Sequence, residues 1–574
     1  MPRRMRSQRP PSRRLPCCRG ILLALALVSA WAGVARGASA PVLEHLFPVA
    51  LQRGTTNRVT GVGTFDGWPV GVWVDAPGIT FRCETNSGRF SVELAPDAPA
   101  GPHLVRAYND RGASVSRFLI VTPGPQVTEV EPNDDFRRPQ QIESLPASIN
   151  GRLEKSGDVD SYGVTLAAGQ TLIASLEAYV IASPVDAVLR VLDSRGIQVA
   201  LNNDDGRTFD PFIAFTPKSA GRYVVQAFGF PYPAGSDVRF AGGPALVYRL
   251  HLSGGPWARH TVPLGVSRRG ETRLRVIGWN FPSGAPLERR VPGDASGPGD
   301  LLLLGGPPFS NPIELPLGEG PELLEPEGPG PLAVPVPGAV TGRISQAGEE
   351  DRYTFEAKKG KPLLLRVDSA SLGFPVDAWL KVENARRQEL ARSDDGANAD
   401  PSLEWTPPED GTYGVVVGSV VHRGGPDHWY RLRLDAPAPS VRATVGAGEF
   451  LLKAGETNEV VVSVSRRHGH VAPLKLLPRG LPAGLLGIEG VEVPVAGGDV
   501  KLRWVAPKEA PAFSGEIRID LVTGTGEVVG HVRQDLVTSG SNNGVPNGHS
   551  RLVTEFVERF WMTLIPSPPP APKP

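Results

Sequence analysis

Between Glu129 and Asp134 the chain places four oxygen-bearing side chains within six residues: Glu129, Glu131, Asn133 and Asp134. On an extended segment alternate side chains point the same way, so Glu129, Glu131 and Asn133 share a face. Asp158 and Asp160 share a face by the same rule. Carboxylates gathered this closely repel one another unless a cation or solvent intervenes. Carboxylate and amide oxygens suit a hard cation such as calcium, which takes roughly six to eight of them. The plainer alternative is an acidic turn region solvated in the ordinary way.

Other chemistry is hard to find in the residues. There is no His-Glu-x-x-His, no Gly-x-Ser-x-Gly, no P-loop and no Gly-x-Gly-x-x-Gly following a strand. His468-Gly469-His470 could put two imidazoles on one strand face, but it has no third ligand nearby, and a solvated loop is the better reading. Of the three cysteines, Cys17 and Cys18 fall in the N-terminal segment and Cys83 stands alone. A single Cys cannot pair within the chain, so core burial must hold the fold, and Cys83 reads as a small buried hydrophobe. The expectation is a protein that is not an enzyme.

The elements that would position the acids are written twice. Gly151-Arg152-Leu153, Asp158-Val159-Asp160-Ser161-Tyr162, Pro184-Val185-Asp186-Ala187, Asp204-Asp205-Gly206, Asp210-Pro211 and Gly221-Arg222-Tyr223 follow in order. About 190 residues later come Gly342-Arg343-Ile344, Glu349-Glu350-Asp351-Arg352-Tyr353, Pro375-Val376-Asp377-Ala378, Asp394-Asp395-Gly396, Asp400-Pro401 and Gly411-Thr412-Tyr413. Tyr162–Leu166 and Tyr353–Ala357 alternate in period two, which predicts strands with one buried and one wet face. The Asp-Asp-Gly segments read as hairpin turns. A weaker repeat precedes each copy: Pro48 to Phe65 is similar to Pro263 to Phe281, with a Pro, an Arg-Gly turn and a strand. The chain is thus a two-part unit written twice, followed by a further sandwich with strands such as Glu459–Val464.

Glu129-Val130-Glu131-Pro132-Asn133-Asp134 followed by Gly157-Asp158-Val159-Asp160-Ser161-Tyr162 closely resembles the bacterial pre-peptidase C-terminal (PPC) domain. The resemblance extends over 124–254 and again over 321–437. It implies β-sandwiches of the kind attached to secreted peptidases, related to the collagen-binding domains of clostridial collagenases. In those relatives the matching positions bind calcium, which implies a calcium site here from Glu129, Glu131, Asn133, Asp134, Asp158 and Asp160. The second copy departs from the pattern. Its linker reads Glu325-Pro326-Glu327-Gly328, without the Asn-Asp pair, Glu349 replaces Asp158, and Asp351 alone is kept cleanly. Calcium is therefore expected in the first copy only. The flanking stretches with Arg-Gly turns resemble IPT/TIG immunoglobulin-like modules.

The fold class expected is all-β: tandem β-sandwiches, two jelly-roll-like PPC domains plus immunoglobulin-like sandwiches. The 67 Gly and 59 Pro are spread along the chain among short alternating runs, as many short strands and tight turns require. The expected division is 1–40 signal peptide, 41–123 immunoglobulin/TIG-like sandwich, 124–254 first PPC-like copy and 255–320 small TIG-like module. It continues with 321–437 second PPC-like copy, 438–565 immunoglobulin-like sandwich and 566–574 Pro-rich tail. Linkers are expected near 123–126, 283–300, 318–332 and 435–439, and Leu552–Leu564 is expected to return and pack on the last domain.

Residues 1 to 20 hold seven arginines and no acid, and an apolar run from Ile21 to Val34 leads to Ala38-Ser39-Ala40. This is the pattern of a secretory signal, with cleavage after Gly37 or Ala40, and the run is short for a membrane span. Ser12-Arg13-Arg14-Leu15 leaves a twin-arginine route open beside ordinary secretion. Removal of residues 1–37 takes eight of the 60 basic residues and none of the 60 acids, which leaves a net charge near −8. That balance disfavours nucleic acid and anionic membrane as partners. The expected protein is exported (periplasmic, cell-surface or extracellular) and monomeric, with no membrane insertion after signal cleavage. It binds or adheres to an extracellular polysaccharide or protein. The alternatives are a secreted hydrolase or peptidase-associated accessory protein with its site in 41–122 or 438–565, and a purely structural spacer.

Overall fold

A computed structural model describes residues 39–206, 208–232, 239–282, 287–296, 300–306, 309–328, 330–396, 400–487, 489–536 and 552–567. The signal segment and nearly all of the Pro-rich tail lie outside the described residues. Strands dominate, and among the described residues there is no α-helix. The all-β tandem sandwich holds.

Residues 41–123 form two facing sheets. One contains Val42–Phe47, Thr56–Thr64, Arg89–Leu94 and Ile79–Cys83; the other contains Ala50–Gln52, Arg117–Thr122, Gly101–Asn109 and Gly71–Val74. Leu43, Val59, Phe90, Val92 and Leu119 fill the space between them, each almost fully buried. Cys83 is half-buried at the edge of this core, where its thiol donates to Val70 O (3.2 Å) and burial raises its pKa.

The two acidic stretches fold with one strand order. In 124–254 one sheet runs Val127–Thr128, Ala147–Arg152, Val247–Ser253, Leu172–Glu177, Phe212–Phe215. Its mate runs Gln140–Gln141, Asp160–Leu166, Gly221–Pro231, Val185–Leu192, Gln198–Asn202. In 321–437 the corresponding sheets are Glu322–Leu324, Gly338–Arg343, Trp429–Asp435, Leu363–Asp368, Ser402–Trp405 and Leu332–Ala333, Glu350–Ala357, Gly411–Ser419, Ala378–Glu383, Glu389–Ser393. Each sheet begins with a two- or three-residue strand laid parallel to its neighbour, after which the pairing is antiparallel.

The motifs shared by the two stretches have structural roles here. Asp210 accepts backbone N–H bonds from Ala178, Tyr179 and Val180 (2.9, 2.7 and 3.0 Å) and so pins the 3-10 turn Tyr179–Ile181. Asp400 does the same for Ala370 and Ser371 (2.8 and 2.9 Å). Asp205 forms an ion pair with Arg259 of the following module (2.8 Å between Oδ2 and Nη1).

The alternation expected for Tyr162–Leu166 and Tyr353–Ala357 is found in only one of them. Glu350–Ala357 alternates exposed or half-exposed residues with buried ones along its whole length. In Asp160–Leu166, Thr165 alone is exposed. Its outer face is roofed: Gln226 Nε2 donates to Ser161 Oγ (2.8 Å), and the Gln141 amide lies over Gly163. A β-carbon at Gly163 would sit 2.5 Å from Gln141 Nε2, so the missing side chain makes room for the roof.

The weaker repeat has a structural counterpart. Val42–Phe47 and Trp257–Val262 each end at an X-Pro bond, pair antiparallel with the next long strand, and lead into a short strand that runs parallel to the last strand of its module. The junctions also correspond. Asn150 exchanges two hydrogen bonds with the Ala50 backbone (2.8 and 3.0 Å), and Thr341, at the matching position, accepts from Leu264 N (2.9 Å).

The 438–565 stretch makes sheets of three and six strands, plus a two-stranded ribbon. Phe560–Ile565 returns to lie parallel to Glu449–Lys453 and antiparallel to Phe513–Ile517, as expected of that segment. It also closes the chain, which the sequence did not announce. Trp561 packs on Tyr108 and Trp73 of the first sandwich (ring centroids 4.5 and 6.3 Å). Trp73 Nε1 donates to Glu516 Oε2 (3.0 Å), and buried Arg106 pairs with Glu449. Val49, Leu104, Phe118 and Ile120 of the first sandwich share one apolar core with the last.

Candidate metal centre

The acids of 124–254 arrive from two elements. Glu129 and Glu131 follow the short strand Val127–Thr128, whose pairing with Ile149 and Asn150 carries the segment alongside the sheet. Glu129 N donates to Asn150 O (3.0 Å), and Glu129 Oε2 accepts from Arg152 N (2.7 Å). Asp160 opens the strand Asp160–Leu166, and its Oδ2 accepts from Tyr248 Oη (2.5 Å). Carboxylate oxygens of Glu129, Glu131 and Asp160 all lie within 4.8 Å of one another.

Asn133 stands beside this triad. It is 1 % exposed, its N–H donates to Glu131 Oε2 (2.9 Å), and its carbonyl accepts from Ser161 N (3.2 Å). Asp158, fully buried, accepts from Glu154 N through Oδ2 (2.5 Å). Asp134 is exposed and turned outward, where Lys155 Nζ holds its Oδ2 at 3.1 Å. The structure therefore buries Asn133, Asp158 and Asp160, half-buries Glu129 and Glu131, and leaves Asp134 at the rim.

Five buried side-chain oxygens here have no hydrogen-bond partner: Glu129 Oε1, Glu131 Oε1, Asn133 Oδ1, Asp158 Oδ1 and Asp160 Oδ1. An unsatisfied buried acceptor costs about 1–3 kcal/mol, and more when charged. Five together are a heavy deficit unless something positive satisfies them. Lys155 compensates only the outer part: its ammonium reaches Asp134 and stands 3.7 Å from Asp158 Oδ1. Among the described residues no lysine or arginine forms a salt bridge with the inner triad, although Arg152 acts on Glu129 and Lys155 on Glu131 from farther off.

Protonation shows the same strain. Burial, followed by mutual repulsion, pushes Asp160 up to about 9. Burial pushes Glu129 up to about 8 and Asp158 up to about 6. Asp134 is lowered, first by its hydrogen bond with Asp158. The donor set, all oxygen and rich in carboxylate, fits calcium, with Glu129, Glu131, Asn133, Asp158 and Asp160 as the residues that would hold it. Such an ion would supply charge balance and a cross-link between the 129–134 segment and the strand Asp160–Leu166.

The sequence did not single out the floor of this site. Tyr248 Oη, which donates to Asp160, lies 2.7 Å from Tyr162 Oη, and both rings are fully buried. A signal was present, because Tyr162/Tyr248 and Tyr353/Tyr430 recur at matching places in both stretches. The second pair makes the same contact at 2.7 Å, and Tyr430 Oη donates to Asp351 (2.7 Å).

Around that second pair the acids are arranged differently. Glu325 Oε2 accepts from Arg343 N (3.0 Å), as Glu129 does from Arg152. Glu349 Oε2 takes two backbone N–H groups, from Ser345 and Gln346 (2.6 and 2.8 Å). Burial raises Asp351 to about 7, and burial likewise raises Glu325, which shares a hydrogen bond with Asp351. Among the described residues none of Glu325, Glu327, Glu349 or Asp351 carries an orphaned buried oxygen. Glu325, Glu349 and Asp351 border a cleft of about 1150 Å³ shared with Arg273, Arg343 and Trp429.

The remaining candidates are occupied locally. His468 Nδ1 meets Ala438 O (3.0 Å), whereas His470 Nδ1 meets Arg466 (2.8 Å), so the two rings serve separate contacts.

Comparison with known proteins places one family on the chain. The model of the bacterial pre-peptidase C-terminal domain matches residues 349–419, within the second acidic stretch. No curated protein matches the sequence. A crystal structure of the pre-peptidase C-terminal domain of collagenase from Bacillus anthracis is 12% identical, covers 19% of this chain and 99% of its own, and gives a TM-score of 0.16. The N-terminal four Ig domains of Dscam1 isoform 4.4 are 11% identical over 85% of this chain and 96% of that one, with a TM-score of 0.16. The chain is thus a nearly all-β protein of sandwich modules, whose residues 349–419 match the pre-peptidase C-terminal domain model.

Proposed function

We propose that this is an exported, non-catalytic binding or adhesion protein whose 124–254 sandwich is a second, calcium-stabilised copy of the pre-peptidase C-terminal domain. The observation that carries the calcium is the set of five orphaned oxygens around Glu129, Glu131 and Asp160. The strand order shared with 321–437 supports the second copy. The binding role is supported by the architecture: sandwiches locked by shared cores and buried pairs present loops and sheet faces on a rigid frame, which lowers the entropic cost of recognition. The Arg-rich, acid-free N-terminus followed by an apolar run supports export.

The ligand on this reading is an extracellular polysaccharide or protein. Retention of the purified chain on cell-wall, polysaccharide and matrix panels tests it, and no retention on any panel counts against the binding role. Calcium is tested separately, by thermal unfolding with calcium and with chelator. An unchanged transition removes the metal while leaving the binding role to stand on the panels.

A further inference from the structure

We propose, on the calcium reading above, that the Lys155 ammonium holds the place of a second cation in the 124–254 oxygen set and so limits this sandwich to one dication. The acids form two groups. Oxygens of Glu129, Glu131 and Asp160 lie within 4.8 Å of one another and make the inner one. Asp134 and Asp158 make the outer one, gathered by Lys155, whose Nζ stands 3.1 Å from Asp134 Oδ2 and 3.7 Å from Asp158 Oδ1. Asp158 is fully buried, and its Oδ1 has no hydrogen-bond partner, so the charge of Lys155 is what this oxygen meets. An ammonium is a compact point charge with donors only, and it fills a carboxylate pair much as a metal ion would, at half the charge of a dication.

A local turn fixes Lys155 in that place. Asp158 N donates to Lys155 O (3.0 Å), Gly157 N donates to Phe240 O (2.9 Å), and Gly157 has a φ of 91°, which favours glycine. The same turn recurs in 321–437, where Glu349 N donates to Gln346 O (3.3 Å) and Gly348 has a φ of 78°. The neutral Gln346 therefore stands where Lys155 does, and by count from Glu325 the place of Asp134 is taken by Gly330. Glu349, in the place of Asp158, is met by the N–H groups of Ser345 and Gln346 instead (2.6 and 2.8 Å). The lysine and the outer acid are present together in one sandwich and absent together from the other, as a resident counter-ion requires.

Without the ammonium, the outer group keeps two carboxylates and the unsatisfied Asp158 Oδ1. The Asp134 side chain is 41% exposed, so water reaches this rim and completes the roughly six to eight oxygens that calcium takes. The Lys155 side chain is itself 62% exposed, so its replacement removes a charge from the rim and leaves the core untouched.

Calcium titration of the purified full chain, read as ions bound per chain by native mass spectrometry and as heat by calorimetry, tests this. The parent should take up one ion, Lys155→Gln two, and Lys155→Arg, which keeps the charge, one. Lys358→Gln, which frees Asp410 from a comparable exposed pair in the other sandwich (3.3 Å), should stay at one. Matching thermal unfolding in chelator shows that the variants are folded. A single ion in Lys155→Gln overturns the role of Lys155 and leaves the calcium reading in place. That holds even if the ion is bound more tightly, since tighter binding is relief of repulsion at a distance and not a vacated place. Two ions in the parent, or a second ion in Lys358→Gln as well, also overturn it. No uptake by the parent removes the calcium reading itself, and the role of Lys155 with it.

Discussion

The 124–254 and 321–437 sandwiches have the same ten-strand order and the same tyrosine pair donating to an aspartate, yet they balance their buried acids by different means. In 321–437 the acids are spent on backbone N–H groups and on a proton shared between Glu325 and Asp351. In 124–254 backbone N–H groups likewise reach Glu129 and Asp158, but Glu129, Glu131, Asn133 and Asp160 keep buried oxygens without a hydrogen-bond partner, and Asp158 Oδ1 has Lys155 at 3.7 Å. On the proposed reading one framework would accommodate a proton in 321–437 and a dication in 124–254, and the residues at 129–134 and 158 would decide between them. The lesson is about accounting: burial of acids is tolerable in both, but the compensating positive charge differs in kind.

The largest expected break in this comparison is calcium itself. At calcium about 100-fold above its Kd, the 124–254 sandwich gains about 2.7 kcal/mol, and chelator removes it. Hydrogen exchange reads both domains in one sample: protection of Asp160–Leu166 should rise with calcium, and that of Glu350–Ala357 should not. The double variant Glu131→Gln, Asp160→Asn should lose the response. Retention of the response in that variant would place the ion elsewhere.

Acidity should separate the two domains next. Asp351 has its pKa raised to about 7 from an unfolded value near 4. Between those values the folded state holds a proton that the unfolded state has released. Its contribution is therefore complete below pH about 4 and lost as pH rises through about 7, on the order of 1–3 kcal/mol. Urea unfolding of the chain across this range should show a steeper slope in the parent than in Asp351→Asn, the difference being the Asp351 contribution and the remainder that of the raised acids of 124–254. In calcium the 124–254 sandwich should instead hold its stability as pH rises, because a dication keeps Asp160 and Glu129 ionised.

A transplant sharpens the point further. Replacing residues 325–330 with Glu-Val-Glu-Pro-Asn-Asp, together with Glu349→Asp, should give 321–437 a calcium response, weaker than that of the parent site. Absence of any response would mean that the framework around Gln226 and Gln141, not the acid set, makes the site. The smallest effect should come from Asp134→Asn. That carboxylate is exposed and paired with Lys155, so calcium stabilisation should change by no more than about 0.5 kcal/mol.

Much of this was legible in the sequence. Repeated Gly-Arg, Asp-x-Asp-x-Tyr and Asp-Pro landmarks correspond to one strand order used twice, because turns and period-two alternation are local properties. The acids at 129–133, 158 and 160 were legible as a group, since spacing alone puts them on common faces. Their inequality was not. Asp134 sits next to Asn133, yet one is at the rim and the other is 1 % exposed: adjacent side chains of an extended segment point to opposite sides, and Lys155 holds Asp134 on the outer one. The wet outer face expected for Asp160–Leu166 was also absent, since Gln226 and Gln141 arrive from distant strands to roof it.

The sequence by itself determined that this chain is a string of β-sandwiches, that matching landmarks recur in 124–254 and 321–437, and that only the first of these stretches carries the full oxygen set. Local pattern suffices for these, because strand faces, turns and side-chain chemistry are fixed within a few residues. Tertiary structure alone decided that Tyr248 donates to Asp160, that five oxygens are left without partners, and that Trp561 closes on Tyr108 and Trp73. Those contacts join residues far apart in the chain. They depend on which surfaces complement each other once the sheets exist, and no local spacing encodes that.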